Sequence, residues 1–328
     1  MRPLAVDTLC QRLGALFGDR LRTDLEARTL AGGDESGLAP GVPAAVFFVT
    51  RTEDVTALAR EAASLGVPIV ARGGGTGKAG GCIASRGEVV VDFSRMKRIL
   101  EMRPGDQLTR VEPGLITQEL AQAAAAEHLF YPPDPGSLES CTIGGNVATN
   151  AGGTRAVKYG STVRYIWGLE IVLAGGELMR LGRQSLKGVA GYDLTSLLVG
   201  SEGTLALIAG ITVHLIPAPE AVETAWLTFP DMAKANDTAA RMFAAGIVPS
   251  TLEVMDRLAL DVVRPAAPFR IPVGAGAAIL AETDGPASQA REALLRLAEI
   301  AGEAGATDTA VASSDKQREA MRRTRRLV

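Results

Sequence analysis

The sequence predicts an α+β protein built from two domains. Strand-like runs and amphipathic helical stretches alternate along its 328 residues, and the pattern of alternation changes after Pro217-Ala218-Pro219, which is typical of a linker. We therefore predict an N-terminal helical segment at residues 1–39, a first domain at 40–218 with lobes at about 40–103 and 104–218, and a second domain at 219–328.

Composition excludes several function classes. The 34 Lys and Arg against 37 Asp and Glu are dispersed, which disfavours a nucleic-acid-binding surface. No apolar run is long enough to span a bilayer, and residues 1–18 carry Asp7 and Arg12 inside a helical apolar pattern, unlike a signal peptide. Cys10, Cys82 and Cys141 form an odd set without CxxC spacing, which predicts a reducing, cytoplasmic compartment without disulfides.

Neither histidine stands in a pattern typical of a metal site. His128 is predicted to end an alanine-rich helix, and His214 to point outward from a strand at 211–216. No cluster of His, Cys and carboxylate has metal-ligand spacing, so we predict no metal site in this chain and assign no catalytic residue.

The first domain begins with a β-α-β unit. Residues 44–49 and 67–71 are predicted strands, and Thr52, followed by Glu53 and Asp54, is predicted to cap the helix between them. Further strands are predicted at 88–93, 99–102 and 108–111, followed by a helix that starts near Thr117, a hairpin of 167–173 with 177–181, a short helix at 191–199 and strands within 205–216.

A glycine run follows the second strand of that unit. Arg72-Gly73-Gly74-Gly75-Thr76-Gly77-Lys78-Ala79-Gly80-Gly81 has too little side chain to pack, and its backbone N–H groups could form a concave nest for an anion such as a pyrophosphate. Gly75-x-Gly77-x-x-Gly80 with Asp92 also fits a dinucleotide fingerprint, but a strand follows where that motif requires a helix, so we reject an NAD site. A surface turn without a ligand is the alternative.

Two later glycine clusters extend this pattern. A proline-rich loop at 131–137 leads into the cluster at 141–153, where glycines alternate with small hydroxyl and amide side chains, and a third turn follows at 200–204. Backbone of this kind suits close contact with a large planar polar ligand. Separate clusters flanked by strand signals favour one extended ligand over simple connectors.

The second domain alternates strands and helices again. Strands are predicted at 225–229, 251–255, 277–282 and 309–312, with helices at 231–245, 257–263, 287–304 and 315–328. Asp231 and Ser288 are predicted at helix N-termini. The order is similar to a ferredoxin-like βαββαβ unit with one additional helix. Because the last helical pattern has no terminator, we expect the natural protein to continue beyond Val328.

Several motifs occur in an order that resembles one family. They are RGGGTG at 72–77, DPGS at 134–137, TIGGNVATNAGG at 142–153, KYG at 158–160, GYDL at 191–194 and GSEGTL at 200–205. Together they resemble the PCMH-type FAD-binding family, also called the vanillyl-alcohol oxidase family, and within it the glycolate oxidase D subunits and the D-lactate and D-2-hydroxyglutarate dehydrogenases. The resemblance implies a two-lobed FAD-binding domain followed by a partial ferredoxin-like cap, or substrate, domain.

The resemblance also implies cofactor contacts. The positions that match are Arg72, Gly73, Gly74, Gly75, Thr76, Gly77, Asp134, Pro135, Gly136, Ser137, Thr142, Gly144, Gly145, Asn146, Thr149, Asn150, Ala151, Gly152, Glu202, Gly203 and Ile208. Residues 73–77 would hold the pyrophosphate, residues 134–153 would follow the ribityl chain and flavin ring, and Glu202, Gly203 and Ile208 would lie near the adenosine half. Thr76 stands where some relatives attach the flavin through a histidine, which implies non-covalent FAD.

The resemblance places a substrate-binding arginine in the last helix, where the match falls on Arg325. A guanidinium suits this role because it can grip a carboxylate with two parallel hydrogen bonds. The alternative is an exposed arginine on a basic helix. The relatives continue into a histidine-rich segment with a metal ion and a catalytic base, and no such segment is present among these 328 residues.

The implied function is an FAD-dependent oxidoreductase of 2-hydroxy acids, which transfers hydride from the substrate α-carbon to flavin N5. The alternative is a non-catalytic FAD-binding subunit or electron-relay partner of an oxidase complex. A protein-interaction module would leave the glycine clusters without a role. Implied partners are a small 2-hydroxy carboxylate and other oxidase subunits or an acceptor protein, while a homodimer and membrane association through a partner stay open.

Overall fold

The structure is a computed structural model that describes residues 2–85 and 87–327. Among the helices of these residues, none is both long and apolar enough to cross a bilayer. The helices and strands are, in chain order, α1 Arg2–Phe17, β1 Leu21–Arg22, α2 Leu25–Leu30, β2 Ala45–Phe48, α3 Thr52–Leu65, β3 Ile69–Arg72, β4 Val89–Asp92, β5 Ile99–Arg103, β6 Leu108–Val111, α4 Thr117–Ala126, β7 Leu129–Phe130, α5 Ile143–Thr149, α6 Ala156–Tyr159, β8 Ile166–Val172, β9 Leu178–Gly182, α7 Leu194–Leu198, β10 Leu207–His214, β11 Ile216–Pro217, β12 Ala221–Phe229, α8 Met232–Ala244, β13 Thr251–Asp256, α9 Arg257–Val263, β14 Ala277–Gly285, α10 Ala287–Ala304, β15 Asp308–Val311 and α11 Asp315–Arg325.

The first compact unit consists of Met1–Tyr131, Ser137–Ala151 and Ser161–Pro217. It contains a sheet of order β1-β2-β4-β3, in which β2, β4 and β3 are parallel, and an antiparallel sheet of order β5-β6-β10-β8-β9. The predicted hairpin is confirmed as β8 and β9. Strand β5 pairs with β6, so it lies in the second sheet, although the predicted lobe boundary at 103/104 would assign it to the first lobe.

Helices α1 and α3 pack on the parallel sheet and bury its apolar side chains. The amphipathic pattern of α1 places Leu9 and Phe17 in this core, where the Phe17 ring meets the ring of Phe47 edge-on with centroids 5.1 Å apart. The N-terminal segment is more than helical, because β1 adds an antiparallel strand to β2. Two residues are too short a strand for alternation to reveal in the sequence.

The second unit consists of Pro132–Gly136, Gly152–Gly160 and Ala218–Val328. Its antiparallel sheet has the order β13-β14-β12-β15, which is the strand order of a ferredoxin-like fold and confirms that prediction. Helices α8 and α10 cover one face around Leu227, Ile279 and Leu297. The opposite face carries Trp226, Met255 and Leu280, with α9 as the additional helix.

Three helix caps were predicted, and two of them differ from the structure. Asp231 caps α8, with its carboxylate accepting the Lys234 N–H at 2.9 Å, as predicted. Thr52 is instead the first residue of α3, after the cap residue Arg51, and α10 follows Pro286 rather than Ser288. Pro286 occupies the N-cap position of α10 and makes no side-chain cap hydrogen bond.

Replacing Asp54 with asparagine is expected to weaken the first unit. The fully buried carboxylate of Asp54 accepts the Thr50 N–H at 3.0 Å and the Thr50 hydroxyl at 2.9 Å, and it pairs with Arg20 and Arg51. Burial alone would raise the pKa of Asp54, but the hydrogen bonds from Arg20, Thr50 and Arg51 lower it. We expect Asp54→Asn to cost about 1–3 kcal/mol at neutral pH, measured by urea unfolding.

The same carboxylate predicts a pH dependence. The pKa of Asp54 is lower in the folded state than in the unfolded state. The contribution of its carboxylate to the unfolding free energy is therefore complete above the unfolded-state pKa, and it is lost as the pH falls through the folded-state pKa. The difference in unfolding free energy between wild type and Asp54→Asn should therefore shrink below about pH 4. A constant difference down to pH 2 would contradict this assignment.

Candidate functional site

The glycine loop begins at the carboxyl end of β3, where Arg72 lies in register with Asp92 of the neighbouring strand β4. Gly75 has a φ of +70°, which turns the loop back on itself. The N–H groups of Gly74, Gly75, Thr76 and Gly77 donate hydrogen bonds to no described residue. Four successive unpaired amides on one turn form the donor set that an anionic phosphate requires.

Two glycines in this loop are required by close packing. A side chain on Gly73 would collide with the hydroxyl of Thr142, and one on Gly74 would collide with the carbonyl oxygen of Ser140. At Gly77, by contrast, the nearest atom to an added Cβ is an Asp34 carboxylate oxygen at 3.7 Å. The loop is therefore fixed against residues 140–142 at its start and open at Gly77.

Residues 33–35 hold the other side of the loop, which the sequence analysis missed. Arg72 Nη1 donates to the carbonyl oxygen of Gly33 at 2.6 Å, and the Glu35 N–H donates to the carbonyl oxygen of Gly77 at 3.0 Å. Lys78 pairs with the Glu35 carboxylate at 3.0 Å. Arg72 therefore positions the loop through backbone contacts. Its side chain pairs far along the chain, so no local spacing indicated it.

The second glycine cluster forms helix α5, which the sequence analysis did not predict. Thr142 caps this helix and accepts the Gly145 N–H at 3.2 Å. The N–H groups of Ile143 and Gly144 donate to the carbonyl oxygens of Leu115 and Pro113, at 2.9 and 2.7 Å. Protein carbonyls already satisfy these amides, so they are not free to form a second anion nest. Its glycines instead permit close contact, since a Cβ on Gly144 would lie 2.6 Å from Pro113.

The polar side chains of α5 bind the protein itself. Asn146 Nδ2 donates to the Thr117 hydroxyl at 2.6 Å, and the Thr149 hydroxyl donates to the Gly145 carbonyl oxygen at 3.0 Å. Asn150 ends the helix with a φ of +49°, and its Oδ1 accepts the Val163 N–H at 3.0 Å. These bonds fix the backbone of residues 142–151.

The third glycine turn, at residues 200–204, belongs to the first unit. Glu202 has a φ of +51° and donates its N–H to the Ala148 carbonyl oxygen at 2.9 Å. An added Cβ on Gly81 would lie 3.2 Å from the Glu202 carboxylate, so this turn is adjacent to the end of the glycine run. Ile208 is buried in β10 opposite Ile171, where it contributes to the sheet.

The predicted residues divide between the two units. Those of the first unit are Arg72, Gly73, Gly74, Gly75, Thr76, Gly77, Ser137, Thr142, Gly144, Gly145, Asn146, Thr149, Asn150, Ala151, Glu202, Gly203 and Ile208, and those of the second are Asp134, Pro135, Gly136, Gly152 and Arg325. Their assignment to a cofactor or substrate stays a prediction.

In the second unit, Asp134 is used within its own segment. Its carboxylate accepts the Thr154 hydroxyl at 2.7 Å and the Arg155 N–H at 3.0 Å. A Cβ on Gly153 would overlap Asp134, whereas one on Gly136 would meet nothing within 4 Å. Asp134 therefore orders the glycine backbone beside it.

His214 is not the outward-pointing residue that alternation predicted. Its ring stacks on Trp167 with centroids 4.1 Å apart and an interplanar angle of 8°, and Tyr165 lies on the same stack. Burial and the nearby Arg183 charge lower the pKa of His214. A half-buried, neutral ring in an aromatic stack supports a packing role.

The sheet of the second unit carries a polar cluster on the face opposite α8 and α10. Glu282 is buried and accepts the hydroxyls of Thr224 and Thr251, at 2.8 and 3.1 Å, from the strands on either side. Arg322 of α11 binds the same carboxylate with Nε at 2.7 Å and Nη2 at 3.0 Å. Burial would lower the pKa of Arg322, but its bonds to Glu282 and the nearby carboxylates raise it.

Two more ion pairs involve the same sheet. Asp284 pairs with Lys158 and accepts the Tyr159 hydroxyl at 2.7 Å, so both side chains of the KYG motif bind one carboxylate. Arg325 Nε donates to Glu253 Oε2 at 2.7 Å. Glu253, Glu282 and Asp284 were missed from the sequence. Glu282 and Asp284 stand two apart in β14 and so share one face, but the predicted strand ended at residue 282, before Asp284.

Known proteins match both units. Residues 43–182 match the model of an FAD binding domain, and residues 218–328 match that of the FAD linked oxidases, C-terminal domain. The glycolate oxidase subunit GlcD of Bacillus subtilis (strain 168) is 38% identical over 285 residues, covering 87% of this chain and 61% of that protein. A D-lactate dehydrogenase of Anaerostipes hadrus is 34% identical over 279 residues, covering 83% and 58%.

The fold is also similar to that of solved structures. An alkyldihydroxyacetonephosphate synthase superposes with a TM-score of 0.83 at 20% identity, over 97% of this chain and 64% of that one. The chain thus spans about three fifths of the length of the curated relatives it matches. Both domain models, the relatives and the fold agree with the sequence resemblance: the chain belongs to the PCMH-type FAD-linked oxidase family, and its cofactor is FAD.

Proposed function

We propose that the protein is an FAD-dependent oxidoreductase that acts on small 2-hydroxy carboxylates of the glycolate or D-lactate type. The unpaired N–H groups of Gly74 to Gly77 support this proposal most directly, because they fit a pyrophosphate in a domain of the FAD-binding family. Relatives named as a glycolate oxidase subunit and as D-lactate dehydrogenase support the substrate class.

Each part of the chain has a distinct role in this proposal. The amides of residues 74–77 bind the pyrophosphate, and the backbone of 142–151 contacts the rest of the cofactor. Bound FAD supplies the hydride acceptor. Thr76 offers no ring nitrogen for a covalent link, so the cofactor is held by non-covalent contacts. Arg325 binds the substrate carboxylate with its guanidinium.

A second candidate is a non-catalytic FAD-binding subunit, or an electron-relay partner of an oxidase complex. The state of both histidines favours it. His214 is stacked on Trp167, and His128 is exposed at a turn with a φ of +59°, so in the described part of the chain neither is placed as a catalytic base. Its partners would be further oxidase subunits, with cytoplasmic or membrane-associated location set by them, or a second copy of this chain.

The two candidates differ in a direct measurement. The purified protein is expected to carry FAD that is released by denaturation, which tests the non-covalent site. Anaerobic addition of glycolate or D-lactate should then bleach the flavin absorbance if the chain is a complete oxidoreductase. Stable FAD without bleaching favours the non-catalytic subunit, while colourless protein that does not take up added FAD contradicts both.

A further inference from the structure

Helix α11 carries several arginines that differ in their exposure and in their partners. Arg323 is 76% exposed and pairs with Glu319 one turn away at 2.8 Å, a solvent-exposed pair of small energetic consequence. Arg322 is held by both oxygens of Glu282, and the charges of Glu319 and Asp134 also act on it. An added anion at Arg322 would therefore meet several carboxylates.

Arg325 has a different hydrogen-bonding pattern. Its Nε and Nη2 both bind a single oxygen of Glu253, Oε2, with Nε at 2.7 Å. This uses the side edge of the guanidinium fork. The Nη1 group and the second N–H of Nη2 form the other edge, which binds no described residue. The side chains of Arg325 and Glu253 are 28% and 21% exposed, so the pair is neither fully buried nor freely solvated.

The two partners stand on elements that cannot easily move apart. Glu253 lies in β13, which is paired along its length with β14, and α11 is fixed to the same sheet by Arg322 and by the buried side chain of Met321. A guanidinium on a flexible stem samples many rotamers unless a partner fixes its plane. Glu253 supplies that partner on one edge only.

We propose that Glu253 is a positioning residue, which binds the Nε edge of Arg325 so that the opposite edge is presented to the carboxylate of a 2-hydroxy acid. This inference rests on the proposed function, since it assigns the substrate contact to Arg325. This arrangement explains why the carboxylate of Glu253 stands next to an arginine that binds an anion, because each carboxylate uses a different edge of the guanidinium. The two carboxylates would then lie at opposite edges of one guanidinium, with its positive charge between them.

The test uses the FAD-loaded full chain and oxalate, a carboxylate probe that cannot be oxidised by hydride loss from an α-carbon. Oxalate binding is followed as a change in flavin absorbance, with isothermal calorimetry as a second readout. We expect Glu253→Gln to raise the oxalate Kd about tenfold and Arg325→Ala to raise it further, with FAD affinity unchanged in both. Glu253→Asp, which restores the charge on a shorter stem, should recover part of the loss.

The matched control is Glu319→Gln, which removes an equivalent carboxylate partner from the neighbouring Arg323 and should leave the oxalate Kd unchanged. Unchanged or tighter binding in Glu253→Gln would overturn the inference, the latter because Glu253 would then compete with the ligand. Wild-type protein that holds FAD but binds neither oxalate nor D-lactate would contradict the substrate class itself, and with it the role given to Arg325. A variant that loses secondary structure by circular dichroism would assign Glu253 to folding and also overturn the inference.

Discussion

Gly74→Ala is expected to lower the affinity for FAD at least about 100-fold. The added Cβ would overlap the carbonyl oxygen of Ser140, whose backbone is fixed by the turn that precedes α5, so the glycine loop has to move. The N–H groups of residues 74–77 then no longer converge. Hydrogen bonds to a charged group contribute roughly 1.5–3 kcal/mol each, so losing two of them corresponds to 100-fold or more.

The measurement is fluorescence titration of apoprotein with FAD. Gly105→Ala is the matched control, since Gly105 lies in the turn at Pro104–Asp106 and an added Cβ there would meet no atom within 4 Å. We expect this control to bind FAD as the wild type does and to differ in stability by less than about 0.5 kcal/mol. Full FAD binding by Gly74→Ala would show that the pyrophosphate lies elsewhere.

This loop shows what the sequence could predict. A strand followed by glycines indicated an anion nest, which stays a prediction. The strand β4 after it excluded the dinucleotide motif, and that exclusion agrees with the family assignment. The contacts of residues 33–35 with the glycine loop were not predictable, because they join segments about 40 residues apart through backbone atoms that carry no sequence signal.

Helix α5 shows the opposite error. Three of the residues at 142–145 have poor helix propensity or favour caps, so local preference disfavours a helix there. The helix forms because Thr142 caps it and because the carbonyl oxygens of Pro113 and Leu115 accept N–H groups that a helix start leaves unpaired. Tertiary contacts therefore override propensity at this position.

The charged face of the second unit could have been found only in part. Alternation in β14 predicts that Glu282 and Asp284 share a face, and the spacing of α11 predicts that Arg322 and Arg325 share another. Which arginine meets which carboxylate depends on sheet register and on the direction of α11, and neither follows from composition. In the structure Arg322 pairs with Glu282 and Arg325 pairs with Glu253. Because Glu282 is buried, we expect Arg322 to contribute to stability.

Arg322→Ala is expected to destabilise the second unit by about 3–5 kcal/mol, since it leaves the Glu282 carboxylate, only 3% exposed, without its cation. The hydroxyls of Thr224 and Thr251 would remain as donors, but they carry no compensating charge. Replacing both partners, as Glu282→Leu with Arg322→Met, should cost less than the single change, because no charge is then left buried.

Unfolding in urea can be assigned to this unit by fluorescence. Trp226 is buried in its sheet while Trp167 lies in the first unit, so the variants are compared in a Trp167→Phe background. Arg323→Ala, which breaks only the exposed pair with Glu319, should change the unfolding free energy by less than about 1 kcal/mol. If the double variant is as unstable as Arg322→Ala, the two Thr hydroxyls left without an acceptor, rather than the unpaired charge, dominate the loss. A stable double variant would mean that this ion pair is dispensable for folding and that its value lies in holding α11, and with it Arg325, against the sheet.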